Sequence, residues 1–140
     1  MGLGVWGLAR MAKVKSYRDL EVWNEAMTLV EKVYQLTADF PSDERCGLKS
    51  QMQRAAVSVP ANIAEGYGRS GKVEYARFVT IARGSLMELE TYLALCVRLK
   101  LCEREAMLTI WKRAESVGKV LTRLRLVLAK PQTPSPRPDN

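Results

Sequence analysis

The stretch QMQRAAVSVPANIAEGYGR, residues 51–69, constrains this chain more than any other. Its apolar residues Met52, Ala55, Ala56, Val59 and Ile63 recur at the three- and four-residue steps of a helix. Pro60 interrupts the pattern, and Gly66 and Gly68 end it. A proline inside a helix removes one backbone donor and pushes away the carbonyl four residues back, here that of Ala56, so the resulting kink needs support from neighbours. Small residues at Ala55, Ala56, Ser58, Ala61 and Ala64 let other helices come close, and Ser58 or Asn62 is placed to re-satisfy the freed carbonyl. The stretch is expected to be the central, Pro-kinked helix of an all-helical bundle.

Three further helices flank it. The first is expected over Tyr17 to Ala38, opened by a capping box of Ser16 and Asp19 and stopped by Phe40-Pro41. Its apolar stripe reads Leu20, Trp23, Met27, Val30, Val33 (or Tyr34) and Thr37. The Pro60 helix is expected to begin near Ser42, where Asp43 and Glu44 suit the positive end of a helix dipole. The third helix opens around Ser70 to Lys72 and reaches about Lys100, with the stripe Tyr75, Phe78, Val79, Ala82, Leu86, Leu89, Leu93 and Cys96. Gly84 and Ser85 fall in its middle, where glycine costs about 1 kcal/mol relative to alanine, which implies a compensating close helix contact.

The fourth helix spans about Glu103 to Ala129, with Met107, Trp111, Ala114, Val117, Leu121, Leu124 and Leu128 inward. After it, KPQTPSPRPDN has four prolines in eleven residues and is expected to be disordered. No segment alternates as strands do, so the chain reads as an antiparallel up-down four-helix bundle over residues 16–130, with a flexible extension over 1–15 and a Pro-rich tail over 131–140. The opening MGLGVWGLAR lacks the basic start and cleavage site of a signal peptide, and Met11 is a plausible true beginning. Apolar residues off the stripes, such as Val22, Leu29, Leu36, Ile81, Tyr92, Leu95, Leu99 and Ile110, exceed what one bundle core uses and imply self-association.

Chemistry is excluded more readily than assigned. The chain has no histidine, which removes histidine-based triads, histidine-containing zinc sites and the Glu-x-x-His pairs of di-iron bundles, so neither metal nor cofactor is expected. Cys46, Cys96 and Cys102 are odd in number and form no C-x-x-C pair, the usage of reduced, cytoplasmic packing residues. The hinge GYGRSGKV spells both G-x-G-x-x-G and G-x-x-x-x-G-K, but a helix precedes it where those patterns need a strand, and Val73 replaces the hydroxyl that ligates magnesium. It reads as a helix end, a turn and the next helix start. Glu88 and Glu90 diverge around their helix, which favours salt bridges over acid–base work, and Trp23 and Trp111 read as packing residues.

Around the kink, Pro60, Asn62, Glu65, Arg83, Gly84 and Ser85 are expected to form a structural network, with Glu65 pairing to Arg69 or to Arg83; contact with a ligand or partner is the alternative for Asn62 and Glu65. The net charge is +7 and unevenly spread. Residues 16–40 carry five acidic and two basic side chains, whereas 112–130 carry six basic ones and Glu115. A solvated face, pairing of the two helices within or between subunits, and a polyanion-binding surface each account for that asymmetry.

The run from Tyr17 to Leu101 resembles the four-helix-bundle proteins first noticed as products of intervening sequences in bacterial 23S rRNA genes. The matching residues are L-E-V-W (Leu20 to Trp23), Ala26, Tyr34, Thr37, Phe40-Pro41, Q-x-x-R-A-A-V-S-V-P-A-N-I-A-E-G (Gln51 to Gly66), Arg69, Phe78, A-R-G-S-L-x-E-L-E (Ala82 to Glu90) and Leu93. A looser likeness is to the accessory variability determinant of diversity-generating retroelements, a homopentamer that works with a reverse transcriptase and RNA. The resemblance implies a homopentameric barrel whose basic surface could hold nucleic acid, and it does not imply an enzyme. The chain departs from the family pattern at Gln53 (commonly arginine), Tyr92 (commonly glutamine) and Lys100-Leu101 (commonly Gly-Tyr).

The leading expectation is therefore an oligomer that contacts RNA or DNA backbone through Arg54, Arg69, Lys112, Arg113, Lys119, Arg123 and Arg125. The competing one is a protein–protein scaffold or accessory subunit of a nucleic-acid enzyme such as a reverse transcriptase, with the acidic first helix facing the basic fourth across an interface. A membrane-surface role is disfavoured because the apolar stripe of the fourth helix is needed for the core.

Overall fold

A computed structural model describes residues 14–41 and 47–131, so the expected extension and tail fall almost wholly outside the described residues. A 3-10 turn over Tyr17–Asp19 precedes four helices: α1 Glu21–Thr37, α2 Leu48–Gly68, α3 Lys72–Arg98 and α4 Arg104–Ala129. No strand occurs among the described residues. Each helix packs on its sequence neighbours and α1 closes against α4, while α1 and α3, and α2 and α4, stand diagonally. This is the square, antiparallel four-helix bundle.

Ser16 and Asp19 do form a capping box, but it caps the 3-10 turn rather than α1. Leu20 is extended between the two, and the Asn24 amide clamps the joint by donating to the carbonyls of Arg18 and Leu20, both at 3.0 Å. The second helix begins at Leu48 behind Gly47, whose φ of +62° is left-handed and suits glycine. The expected first turn at Asp43 and Glu44, like Cys46, lies outside the described residues.

The α1 stripe is rotated from the expected one. Val22, Ala26, Leu29, Val33 and Thr37 are buried, whereas Met27 and Tyr34 are exposed and Leu20, Trp23 and Val30 are half-buried. Two apolar sectors lie side by side on this helix, and contact with α2 and α4 selects the Val22–Leu29 sector. Ile110 also enters the core, but Ile81 and Leu95 of α3 and Leu99 at its C-cap stay on the surface. The core is centred on Leu29, Met52, Ile63, Leu89, Leu93 and Leu121, all fully buried.

The α2 helix continues without a break through the buried Pro60. Asn62 donates to the Ser58 carbonyl at 2.7 Å rather than to that of Ala56, and also to the Ser58 hydroxyl at 2.9 Å. The Ser85 hydroxyl of α3 donates to the same Ser58 oxygen at 2.8 Å, which locks the proline turn to its neighbour. Two of the family departures serve as further ties. Gln53 donates to the Thr37 hydroxyl of α1 at 3.1 Å, and the Tyr92 hydroxyl of α3 donates to the Gln51 side chain at 3.0 Å.

The close approach of helices occurs at a different glycine from the expected one. A Cβ on Gly66 would come within 2.7 Å of the Phe78 Cβ, so α2 and α3 meet here only because the side chain is missing. A Cβ on Gly84 would meet nothing within 4 Å in the subunit.

Candidate nucleic-acid interface

Helix periodicity places Lys112, Lys119 and Arg123 on one outward line of α4, Lys130 follows as its C-cap, and all four are exposed. From Lys112 to Lys130 the ridge is about 27 Å long at 1.5 Å per residue. None of the four forms an ion pair among the described residues. Unpaired cations on a straight ridge attract polyanions.

The other candidates are placed elsewhere. Arg113 is half-buried and reaches Glu25 at 3.7 Å, so it joins the basic α4 to the acidic α1 within one subunit. Arg125 falls one turn after the buried Leu121; it is half-buried, and its Nε is enclosed without a hydrogen-bond partner among the described residues. Arg54 and Arg69 are exposed on and just beyond α2, diagonal to α4, so the expected single surface is divided between two sides of the bundle. Arg69 is also engaged. It pairs with Glu65 at 2.6 Å, and its guanidinium sits 5.3 Å from the centre of the Phe78 ring.

Arg83 does not join the kink network, because Glu65 is taken by Arg69. It instead lines a groove between α3 and α4 together with Lys119 and Arg123. Glu90 and Glu115 line the same groove, and no salt bridge forms at Glu88 or Glu90 among the described residues. Burial raises the Glu90 carboxyl above its ordinary value, and the nearby Glu115 charge adds to the shift. Sequence spacing could not have found this grouping, since it depends on which turns of α3 and α4 face each other.

The remaining polar and sulfur groups fit packing better than catalysis. The buried Cys96 thiol lies 3.1 Å from the Met52 sulfur. Cys102 is half-buried and its thiol is pushed up, chiefly by burial, although a hydrogen bond with Cys96 opposes the shift. A raised thiol pKa lowers the thiolate fraction that attacks or ligates. Trp23 and Trp111 are half-buried against the core; Trp23 meets Tyr17 edge-on at 5.3 Å, and the Trp111 indole donates to Glu115 at 2.5 Å. In the glycine-rich hinge α2 runs to Gly68 and Gly71 precedes α3, so no strand leads into the loop and the phosphate-loop geometry is absent there. No group of three or more His, Cys, Asp or Glu able to hold a metal occurs among the described residues.

The sequence pattern of the 23S rRNA-intervening sequence protein family matches residues 18–123. The chain belongs to that family. The match takes in all four helices up to Arg123, and therefore the groove and most of the α4 ridge. Among solved structures, the chain is similar to a crystal structure of a protein with unknown function from the S23 ribosomal protein family of Bacteroides thetaiotaomicron. The two share 19% identity with a TM-score of 0.67, over 78% of this chain and 99% of the other. At that identity the likeness shows the bundle fold alone. No curated protein matches the sequence. No helix among the described residues is long and apolar enough to cross a membrane.

Proposed function

We propose that this family member is a non-enzymatic, oligomeric protein that associates with RNA or DNA backbone through the α4 ridge. The observation that carries the reading is the ridge of exposed, unpaired cations at Lys112, Lys119, Arg123 and Lys130. Neutralising four duplex phosphates releases their counterions, so log affinity against log salt should fall with a slope of roughly −3 to −4 per subunit. Lys112→Glu with Lys130→Glu should weaken binding at least about tenfold at moderate salt and flatten that slope. A flat slope for the unaltered protein would sink the reading and leave a protein–protein scaffold, such as one docking to a reverse transcriptase.

Self-association belongs to the same reading. Ile81 and Leu95 on α3 and Leu99 at its C-cap are exposed, and Gly84 opens space on that helix where nothing in the subunit approaches. A second copy lying over this face would bury the apolar residues and give Gly84 the close neighbour it lacks. The homopentamer implied by the family resemblance is the expected particle, and light scattering coupled to size exclusion measures it directly. The Glu25–Arg113 pair favours this arrangement over an α1-to-α4 contact between subunits, because it already brings the acidic and basic helices together within one.

A further inference from the structure

The groove between α3 and α4 has a volume of about 430 Å³, within the ordinary range for small-ligand sites. Gly118 creates part of it, since a Cβ there would meet only Leu86 Cδ1, at 3.8 Å. Leu86 and Met87 give it an apolar wall. The two helices run antiparallel with Gly118 beside Leu86, which gathers most of the charged residues at opposite ends. Arg83 and Arg123 stand at one end and Lys119 next to Gly118 in the middle, all three unpaired among the described residues; Glu90 and Glu115 stand at the other end.

Along α3, Arg83 and Glu90 are seven residues apart, and along α4 Glu115 and Arg123 are eight, so the ends are separated by roughly 10–12 Å at 1.5 Å per residue. That is about the reach of a nucleotide from its phosphate to the far edge of its base. The chemistry follows the same order: cations for a phosphate, an apolar middle for the face of a base, and carboxylate acceptors for an exocyclic amino group. Glu115 is held in place by the Trp111 indole, and the mutual repulsion of Glu90 and Glu115 is relieved when a donor lies between them.

We infer that this groove holds one nucleotide of a single strand, with the phosphate between Arg83 and Arg123, the base against Leu86 and Met87 beside Gly118, and its amino group on Glu90 and Glu115. The inference rests on the nucleic-acid reading above and deepens it, because a duplex keeps its base edges paired and reaches only the ridge. An acidic peptide would satisfy the cationic end and leave both carboxylates facing further negative charge.

The test measures binding of short labelled oligocytidine, oligouridine and a duplex of the same length to the full chain, by fluorescence anisotropy. Gly118→Leu fills the hollow without changing charge, and Arg83→Gln removes a groove cation that is not on the ridge. Arg83→Gln removes a phosphate contact and Gly118→Leu the space for the base, and each should weaken oligocytidine binding about tenfold while leaving duplex binding within about twofold. Oligocytidine should bind more tightly than oligouridine, which lacks the amino group. Circular dichroism checks that each variant folds, and Arg83→Gln carries the test if Gly118→Leu does not. Two results would overturn the inference: wild-type affinity for oligocytidine in the folded variants, or equal losses for strand and duplex. Equal binding of the two strands would overturn the role given to Glu90 and Glu115. In each of these cases the ridge reading survives if Lys112→Glu still weakens every form, whereas a wild-type protein that binds none of the probes overturns both.

Discussion

The Ser85 hydroxyl of α3 donates a hydrogen bond to the Ser58 hydroxyl of α2 at 2.8 Å, two residues before Pro60. Ser58 thereby receives Ser85 from one side and Asn62, at 2.9 Å, from its own helix. Ser85 is buried, so its hydroxyl depends on this partner. Removing one member of a buried pair leaves the other without its bond. Ser85→Ala should lower unfolding stability by about 1 kcal/mol in urea titrations. The Ser58→Ala, Ser85→Ala double variant should lose less than the sum of the two single losses, because the pair acts as one unit. Additive losses would show that the hydroxyls are energetically independent.

Gly66 and Gly84 are opposite cases of helical glycine. Alanine at either position gains about 1 kcal/mol in helix propensity. At Gly66 the new methyl would lie 2.7 Å from the Phe78 Cβ, an atom that cannot swing away, and overpacking of that kind costs about 1–3 kcal/mol. Gly66→Ala should therefore lower the melting temperature. Gly84→Ala meets nothing inside the subunit and should raise subunit stability. If α3 packs closely against a second copy at Gly84, the same change should also shift the particle measured by light scattering toward smaller species.

Lys100 ends α3 with φ +60°, the left-handed conformation that side chains other than glycine adopt at a cost. The backbone around it forms a Schellman end, with Leu101 N–H bonded to the Cys96 carbonyl at 2.8 Å and Lys100 N–H to that of Val97 at 3.0 Å. The family resemblance implies glycine at this position, and the backbone angle supplies a reason for it. Lys100→Gly should stabilise the protein by roughly 1 kcal/mol, read as a higher urea midpoint with an unchanged slope.

Glu90 gives the bundle a pH dependence of definite sign. Its folded carboxyl binds a proton more tightly than the ordinary value of 4.5, because of burial and then Glu115. Between the unfolded and the raised folded value, the folded state holds more protons than the unfolded one, so stability falls as pH rises through that window. Glu90→Gln should remove this contribution, raising the melting temperature at neutral pH and leaving it nearly unchanged at about pH 3, where both forms are neutral. An equal effect of the substitution at both pH values would assign it to packing alone.

The sequence by itself determined the number of helices and most of their ends, because these depend on local rules. Periodicity, the glycines at 66 to 71, Phe40-Pro41 and the Ser58–Asn62 neighbourhood all act within a few residues, and the Glu65–Arg69 pair is one helical turn. The structure alone decided which way each helix turns its faces. Val22 and Leu29 displaced Met27 and Tyr34 from the core, although either sector of α1 is apolar enough to be buried. Arg83 left the kink network for a groove with Lys119 and Arg123, and the required glycine contact moved from Gly84 to Gly66. A single helix leaves its rotation about its own axis open when apolar residues lie on more than one side. Only the simultaneous packing of four helices selects one rotation for each, and with it the residues that become neighbours.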